Sequence, residues 1–138
     1  MDLIIYTDGG ARGNPGPAAI GAVVGDKQYG ETIGRATNNV AEYRAVIFAL
    51  KKARQLIGKD KAATTVVEVR SDSELLVNQL NGEYKIKEED FFPLFIEIWN
   101  LKQDFKSVAF RHIPREQNKI ADRMVNEALD GANPPTLV

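Results

Sequence analysis

The sequence changes its hydrophobic period at Asn38, and few folds accommodate that change. Before it, apolar residues come in short runs. Residues 3–7 stop at Asp8-Gly9-Gly10, residues 18–24 form a second run, and Asp26 to Gln28 turns the chain into a third at 29–33. Short β-branched and aromatic runs bounded by turn residues read as strands joined in a meander. After it, Tyr43, Val46, Ile47, Leu50, Ala53 and Ile57 recur at helical spacing across 38–57. Thr37 or Asn38 is placed to cap that helix and Gly58 to stop it.

Strand and helix then alternate. Residues 64–69 are rich in Val and Thr and lead into Ser71-Asp72-Ser73-Glu74, a helix start backed by Leu75, Leu76, Val77 and Leu80 and ended by Asn81-Gly82. Residues 88–105 predict a further helix with Pro93 near its N-terminal turn, and 107–113 a fifth strand closed by Pro114. Residues 116–129 predict an amphipathic helix with Ala121, Met124, Val125, Ala128 and Leu129 on one stripe and Gly131 behind it. Four glycines and two prolines fall within 9–17, which is therefore expected to be a shaped loop and no part of a helix or central strand.

The order β-β-β-α-β-α-α-β-α, without repeats or long linkers, predicts one α/β domain over 1–131 and a loosely held tail at 132–138. Strands separated by helices should be parallel and the first three antiparallel. Such mixed sheets bind ligands beyond the carboxyl ends of their parallel strands. Asp8 ends one such strand, and Asp72 follows the other.

Composition narrows the chemistry. The chain of 138 residues has no cysteine, which removes disulfides, Cys-bound zinc, iron–sulfur clusters and thiol nucleophiles. No apolar run approaches the roughly 20 residues of a membrane span, and the N-terminus lacks the pattern of a signal peptide. A soluble, cytoplasmic monomer with no membrane partner is expected. With 18 Lys+Arg against 19 Asp+Glu, bulk positive charge does not equip it to grip nucleic acid.

Two further acids stand out by helical phase. Glu42 lies in line with Val46, Ala49 and Ala53, and Asp122 with Val125 and Leu129, so both carboxylates sit on or beside faces that should pack against the sheet. Singly, each acid has an ordinary structural use: Asp8 in a turn, Asp72 at a helix start, Glu42 and Asp122 in boundary ion pairs. Jointly, Asp8, Glu42, Asp72 and Asp122 occupy strand ends and core-facing positions on four elements, and converging carboxylates need a cation. An all-oxygen donor set points to Mg²⁺ or Mn²⁺ in preference to zinc or copper.

The segments Tyr6-Thr7-Asp8-Gly9-Gly10-Ala11-Arg12-Gly13-Asn14-Pro15-Gly16-Pro17, Gly34-Arg35-Ala36-Thr37-Asn38-Asn39-Val40-Ala41-Glu42, Ser71-Asp72-Ser73, and His112 followed by Ala121-Asp122 resemble the motifs of type 1 ribonuclease H, in order and at similar spacing. The resemblance implies a ribonuclease H-like α/β fold, a five-stranded sheet in the order 3-2-1-4-5 with helices on both faces. It implies cleavage of the RNA strand of RNA–DNA hybrids, leaving 5′-phosphate and 3′-hydroxyl ends. It also implies two Mg²⁺ ions about 4 Å apart, with Asp8 bridging, Glu42 and Asp72 flanking, and Asp122 on the ion that activates water. His112, the only histidine and ten positions before Asp122, matches an accessory proton-handling residue.

For the hybrid itself, the resemblance implies minor-groove contacts from Gly9, Gly10, Asn14, Asn38 and Asn39, and a DNA-phosphate pocket from Arg35 and Thr37, with Lys87 nearby. Two departures are visible. Glu74 puts a charge where some forms of the family have an uncharged side chain. The extra basic helix of well-known bacterial members is missing, since only residues 83–87 precede the acidic start Glu88-Glu89-Asp90. No separate hybrid-binding domain is expected before Met1, so grip on the substrate should be weak and salt-sensitive. Two other activities remain open at this stage: a binding module that kept the fold, and a nuclease for RNA duplexes or single ribonucleotides in DNA.

Overall fold

The computed structural model describes residues 2–132. Five strands form one sheet in the order β3-β2-β1-β4-β5: β1 (Asp2–Ala11), β2 (Gly16–Val24), β3 (Lys27–Ala36), β4 (Val66–Ser71) and β5 (Ser107–His112). The first three are antiparallel neighbours, while β1–β4 and β4–β5 are parallel, as the intervening helices require. Helices α1 (Asn38–Ile57), α2 (Lys59–Ala62), α3 (Glu74–Leu80), α4 (Phe91–Lys102) and α5 (Lys119–Ala132) complete the chain, with a 3-10 turn at Arg115–Gln117. Among the described residues no helix is long and apolar enough to cross a membrane. Of the tail expected at 132–138, Ala132 ends α5 and the rest lies outside the described residues.

Several boundaries differ from the sequence reading. Strand β1 does not stop at Asp8. Its parallel ladder with β4 ends at Tyr6↔Arg70, but its antiparallel ladder with β2 continues from Thr7↔Ala22 through Asp8↔Gly21 to Ala11↔Ala18. The loop expected at 9–17 is therefore only Arg12 to Pro15, and Gly9 and Gly10 belong to a central strand. Contact with a helix explains one of them: a Cβ at Gly9 would collide with the backbone of Ala41 and Glu42, so only glycine lets α1 approach this closely. Helix α4 begins after the acidic run, with Pro93 its third residue, and α5 begins at Lys119 and runs through Gly131. The short α2 had no periodic signal to announce it.

The two faces of the sheet are packed differently. On one face α1 is the hub: Tyr43, Val46, Leu50 and Ala53 are buried against Ile5, Val24, Val67 and Val69, with Leu76, Phe91, Ile98 and Phe110 in the same cluster. Tyr43 stacks on Phe91 and donates its hydroxyl to Gln79 Oε1 at 2.6 Å. On the other face α5 contributes Val125 and Leu129 against Ala19, with Ala128 beside them. Thr37 caps α1, accepting from the Val40 N–H at 3.2 Å, and Ser73 caps α3, accepting from the Leu76 N–H at 3.2 Å.

Candidate active site

Asp8, Glu42 and Asp72 come together past the ends of the parallel ladder. Each offers a carboxylate oxygen within 4.8 Å of the others, an arrangement that could hold a metal ion. Different local devices deliver them. Asp8 lies two residues past the last parallel pair, in the stretch of β1 paired with β2 alone, opposite Gly21. Glu42 sits at the start of the second turn of α1, one turn inward of the helix start. Asp72 is held between two serines: Ser71 Oγ accepts from the Ser73 N–H at 3.1 Å, and Ser73 caps α3. Asp122, in the first turn of α5, lies outside the three-residue group but hydrogen-bonds to Asp8.

All four acids line one cavity of about 480 Å³, with Gly9, Gly10 and Asn38. Burial, with neighbouring charge added to it, raises the pKa of Asp8, Glu42 and Asp72. Burial, then the charges of Asp72 and Asp122 and a hydrogen bond that protonated Asp8 donates to Asp122, push Asp8 up to about 8, against a partial offset from the Gly9 N–H. Burial also raises Glu42 well above the carboxylate range, with Asp8 and Asp72 adding to it, and Gly9 N–H and Arg115 opposing. Asp72 is raised by burial, opposed by Arg115 and by a hydrogen bond with Asn118, and raised further by Asp122. Glu42 Oε2 is buried without a hydrogen-bond partner among the described residues. A buried carboxylate oxygen with no donor, among like charges, is suited to a hard cation.

The other expected contacts are more dispersed. Asn14 and Asn38 are tied to the protein: Asn14 Oδ1 accepts from the Asn38 N–H at 3.0 Å, and Asn38 Oδ1 from the Ala11 N–H at 2.8 Å. Each keeps its two amide donors. Thr37 serves as the α1 cap, and Arg35 Nη2 donates to the Pro15 carbonyl at 3.4 Å. Asn39 and Lys87 line a second cavity of about 520 Å³ with Leu75, Tyr84 and Lys85. His112 is exposed as the last residue of β5, paired with Ser71, and lines neither cavity.

Two residues escaped the sequence reading. Arg115, in the 3-10 turn after β5, lines the carboxylate cavity and draws Glu42 and Asp72 toward their charged forms. Its only sequence signal is a cation seven positions before Asp122. Asn118 is buried, and its Nδ2 donates to the Thr7 carbonyl at 2.8 Å, 111 residues away in sequence. No local pattern encodes that pairing.

Residues 6–128 match the reverse transcriptase-like family. The chain is 42% identical over 139 residues to a bifunctional protein of Mycobacterium tuberculosis, covering 96% of this chain but only 36% of that protein, so it spans about a third of that relative's length. Ribonuclease HI of Halobacterium salinarum is 42% identical over 133 residues, covering 92% of this chain and 64% of that one. Among solved structures, LC11-RNase H1 in complex with an RNA/DNA hybrid superposes with a TM-score of 0.89 at 47% identity, over 94% of this chain and 98% of that one. RNase H1 of Halobacterium salinarum superposes at 0.86 with 39% identity, over 95% and 99%. A shared sheet order, four carboxylates gathered at its open end and likeness along nearly the whole length lead to one conclusion: the chain belongs to the type 1 ribonuclease H family.

Proposed function

We propose that this domain, residues 1–131, is an endoribonuclease that hydrolyses the RNA strand of RNA–DNA hybrids with divalent metal ions, leaving 5′-phosphate and 3′-hydroxyl ends. The observation that carries this reading is the convergence of Asp8, Glu42 and Asp72 around a buried, undonated Glu42 oxygen. The hybrid bound to the related LC11-RNase H1 supports the substrate class.

Asp8, Glu42, Asp72 and Asp122 would hold two Mg²⁺ ions, with Mn²⁺ an alternative, and their charge is what makes an otherwise repulsive site fit for phosphate. When bound, the ions supply Lewis acidity toward the phosphate and lower the pKa of water. The chain's own residues do the rest. Arg115 adds positive charge at the cavity's lining, next to where the scissile phosphate must lie. His112, exposed at the end of β5 beside Ser71, is an accessory for moving protons or releasing product. Gly9, Gly10, Asn14, Asn38 and Asn39 approach the minor groove, where the amide donors of the asparagines can meet sugar and base acceptors. Arg35 and Thr37, with Lys87, take a DNA-strand phosphate.

The test is cleavage of four labelled substrates, namely a hybrid, an RNA duplex, a DNA duplex and single-stranded RNA, each with Mg²⁺, Mn²⁺ or EDTA. Hybrid cleavage with metal and none with EDTA is expected. Failure to cut the hybrid with either metal would sink the proposal, and preference for the RNA duplex would redirect it. Salt competes with the contacts that hold the hybrid and leaves the bond-breaking step alone, so modestly higher salt should raise KM more than it lowers kcat.

A further inference from the structure

Gly21 pairs with Asp8 on β1 and with Gly30 on β3, so these three residues form one row across three strands. A Cβ at Gly21 would overlap the Ala121 carbonyl oxygen and approach Met124 Cβ to 3.1 Å, and one at Gly30 would lie 2.5 Å from the Met124 carbonyl oxygen. The backbone of α5 therefore rests directly on the sheet, and Ala121, the residue it rests on, immediately precedes Asp122. At the start of the helix, Asn118 donates from Nδ2 to the Thr7 carbonyl at 2.8 Å, while its own carbonyl accepts from the Asp122 N–H at 3.1 Å. One side chain thus joins the residue before Asp8 to the turn that carries Asp122.

We propose that Gly21, Gly30 and Asn118 are positioning residues that seat α5 at the height at which Asp122 reaches Asp8. The inference rests on the nuclease reading only for its kinetic consequence. Its physical basis is the thinness of this face. Among the described residues the apolar cluster on this face is small, Val125 and Leu129 against Ala19 with Ala128 beside them, so the helix's distance from the sheet is set by backbone contact at Ala121 and Met124. Ordinary contact for a Cβ begins near 3.4 Å, so alanine at position 30 would lift α5 by about 1 Å, and a misplacement of that size can cost about 10²-fold in rate.

The experiment compares Gly30→Ala and Gly21→Ala with Val24→Ala, which weakens the same sheet from the α1 face. Crystal structures should show α5 displaced by about 1 Å in the glycine variants only. Single-turnover cleavage should fall by about tenfold or more in Gly30→Ala with KM nearly unchanged. In an Asp122→Asn background the same substitution should cost little more, because Asp122 is already lost. The proposal is overturned by an undisplaced α5, by an equal further loss in the Asp122→Asn background, or by the same kinetic loss in Val24→Ala at matched Tm. If Gly21→Ala does not fold, Gly30→Ala at the exposed strand decides alone. Should the wild type cut no hybrid, the nuclease reading fails. The α5 displacement and calorimetric Mn²⁺ binding to the substrate-free protein, expected weaker in Gly30→Ala, would still decide the seat, and unchanged binding would count against it.

Discussion

Helices α1 and α5 each bring a carboxylate to Asp8, from opposite faces of the sheet and by opposite means. On the α1 face a continuous apolar cluster, from Ile5 and Val67 through Tyr43 and Leu50 to Phe91 and Phe110, holds the helix, and glycine is needed only at Gly9, beneath Glu42. On the α5 face the cluster among the described residues is Ala19, Val125 and Leu129, and two glycines and one asparagine fix the distance. Glu42 is placed as a by-product of folding stability; Asp122 is placed by fit. Stability and alignment of the site are thus divided between the two faces.

The sharpest break of this contrast would come from neutralising the acids. Glu42→Gln is expected to reduce cleavage by about 10³-fold or more and Asp122→Asn by about 10–10²-fold, because Glu42 belongs to the tight oxygen group and Asp122 borders it. Single-turnover rates check this, and the reverse order would undo it. Next comes stability. Leu50→Ala, in the large cluster, should cost about 2–5 kcal/mol, and Val125→Ala only about 1–2 kcal/mol. Equal shifts in denaturant midpoint would mean that the α5 face contributes more than its packing suggests.

A pH series without metal sharpens the point further. Asp8 rises from 3.8 to about 8 in the fold, so folding favours its protonated form. That contribution is fully present below about pH 4 and is lost as pH climbs through about 8. Metal-free protein should accordingly melt lower at pH 8 than at pH 5, other groups being equal, and added Mg²⁺ should raise Tm more at pH 8. Thermal melts with and without EDTA read this directly; Asp8→Asn should flatten the metal-free difference. The smallest effect is expected from Arg115→Ala. It faces Glu42 and Asp72 but is exposed and screened, so kcat should fall by about three- to tenfold with Tm little changed.

Much of the site was legible before the fold was known, for a physical reason. Acids at strand ends and on core-facing helical phases are costly, so Asp8, Glu42, Asp72 and Asp122 stood out from the sequence as needing a common explanation. Local rules also placed α1, leaving its cap between Thr37 and Asn38 until the structure settled it on Thr37, and the helix start around Ser73. The same local rules misjudged Gly9 and Gly10, because glycine is a turn signal on its own and a close-contact signal only when a helix lies above it. They were silent on Arg115, whose effect is a charge acting through space, and on Asn118, whose partner Thr7 lies at the other end of the chain.

What the sequence by itself determined was the kind of element over most of the chain, residues 9–11 and α2 excepted, and the inventory of charge: the change of period at Asn38, the strand and helix alternation after it, and four acids in positions where water could not easily serve them. Periodicity and burial cost act over a few residues, so they can be read along the chain. Only the tertiary structure decided which oxygens share a cation's reach, how far β1 runs beyond β4, and how low α5 sits on Gly21 and Gly30. Those depend on backbones meeting across the sheet, where a missing Cβ or one buried amide sets a separation that no neighbour in sequence records.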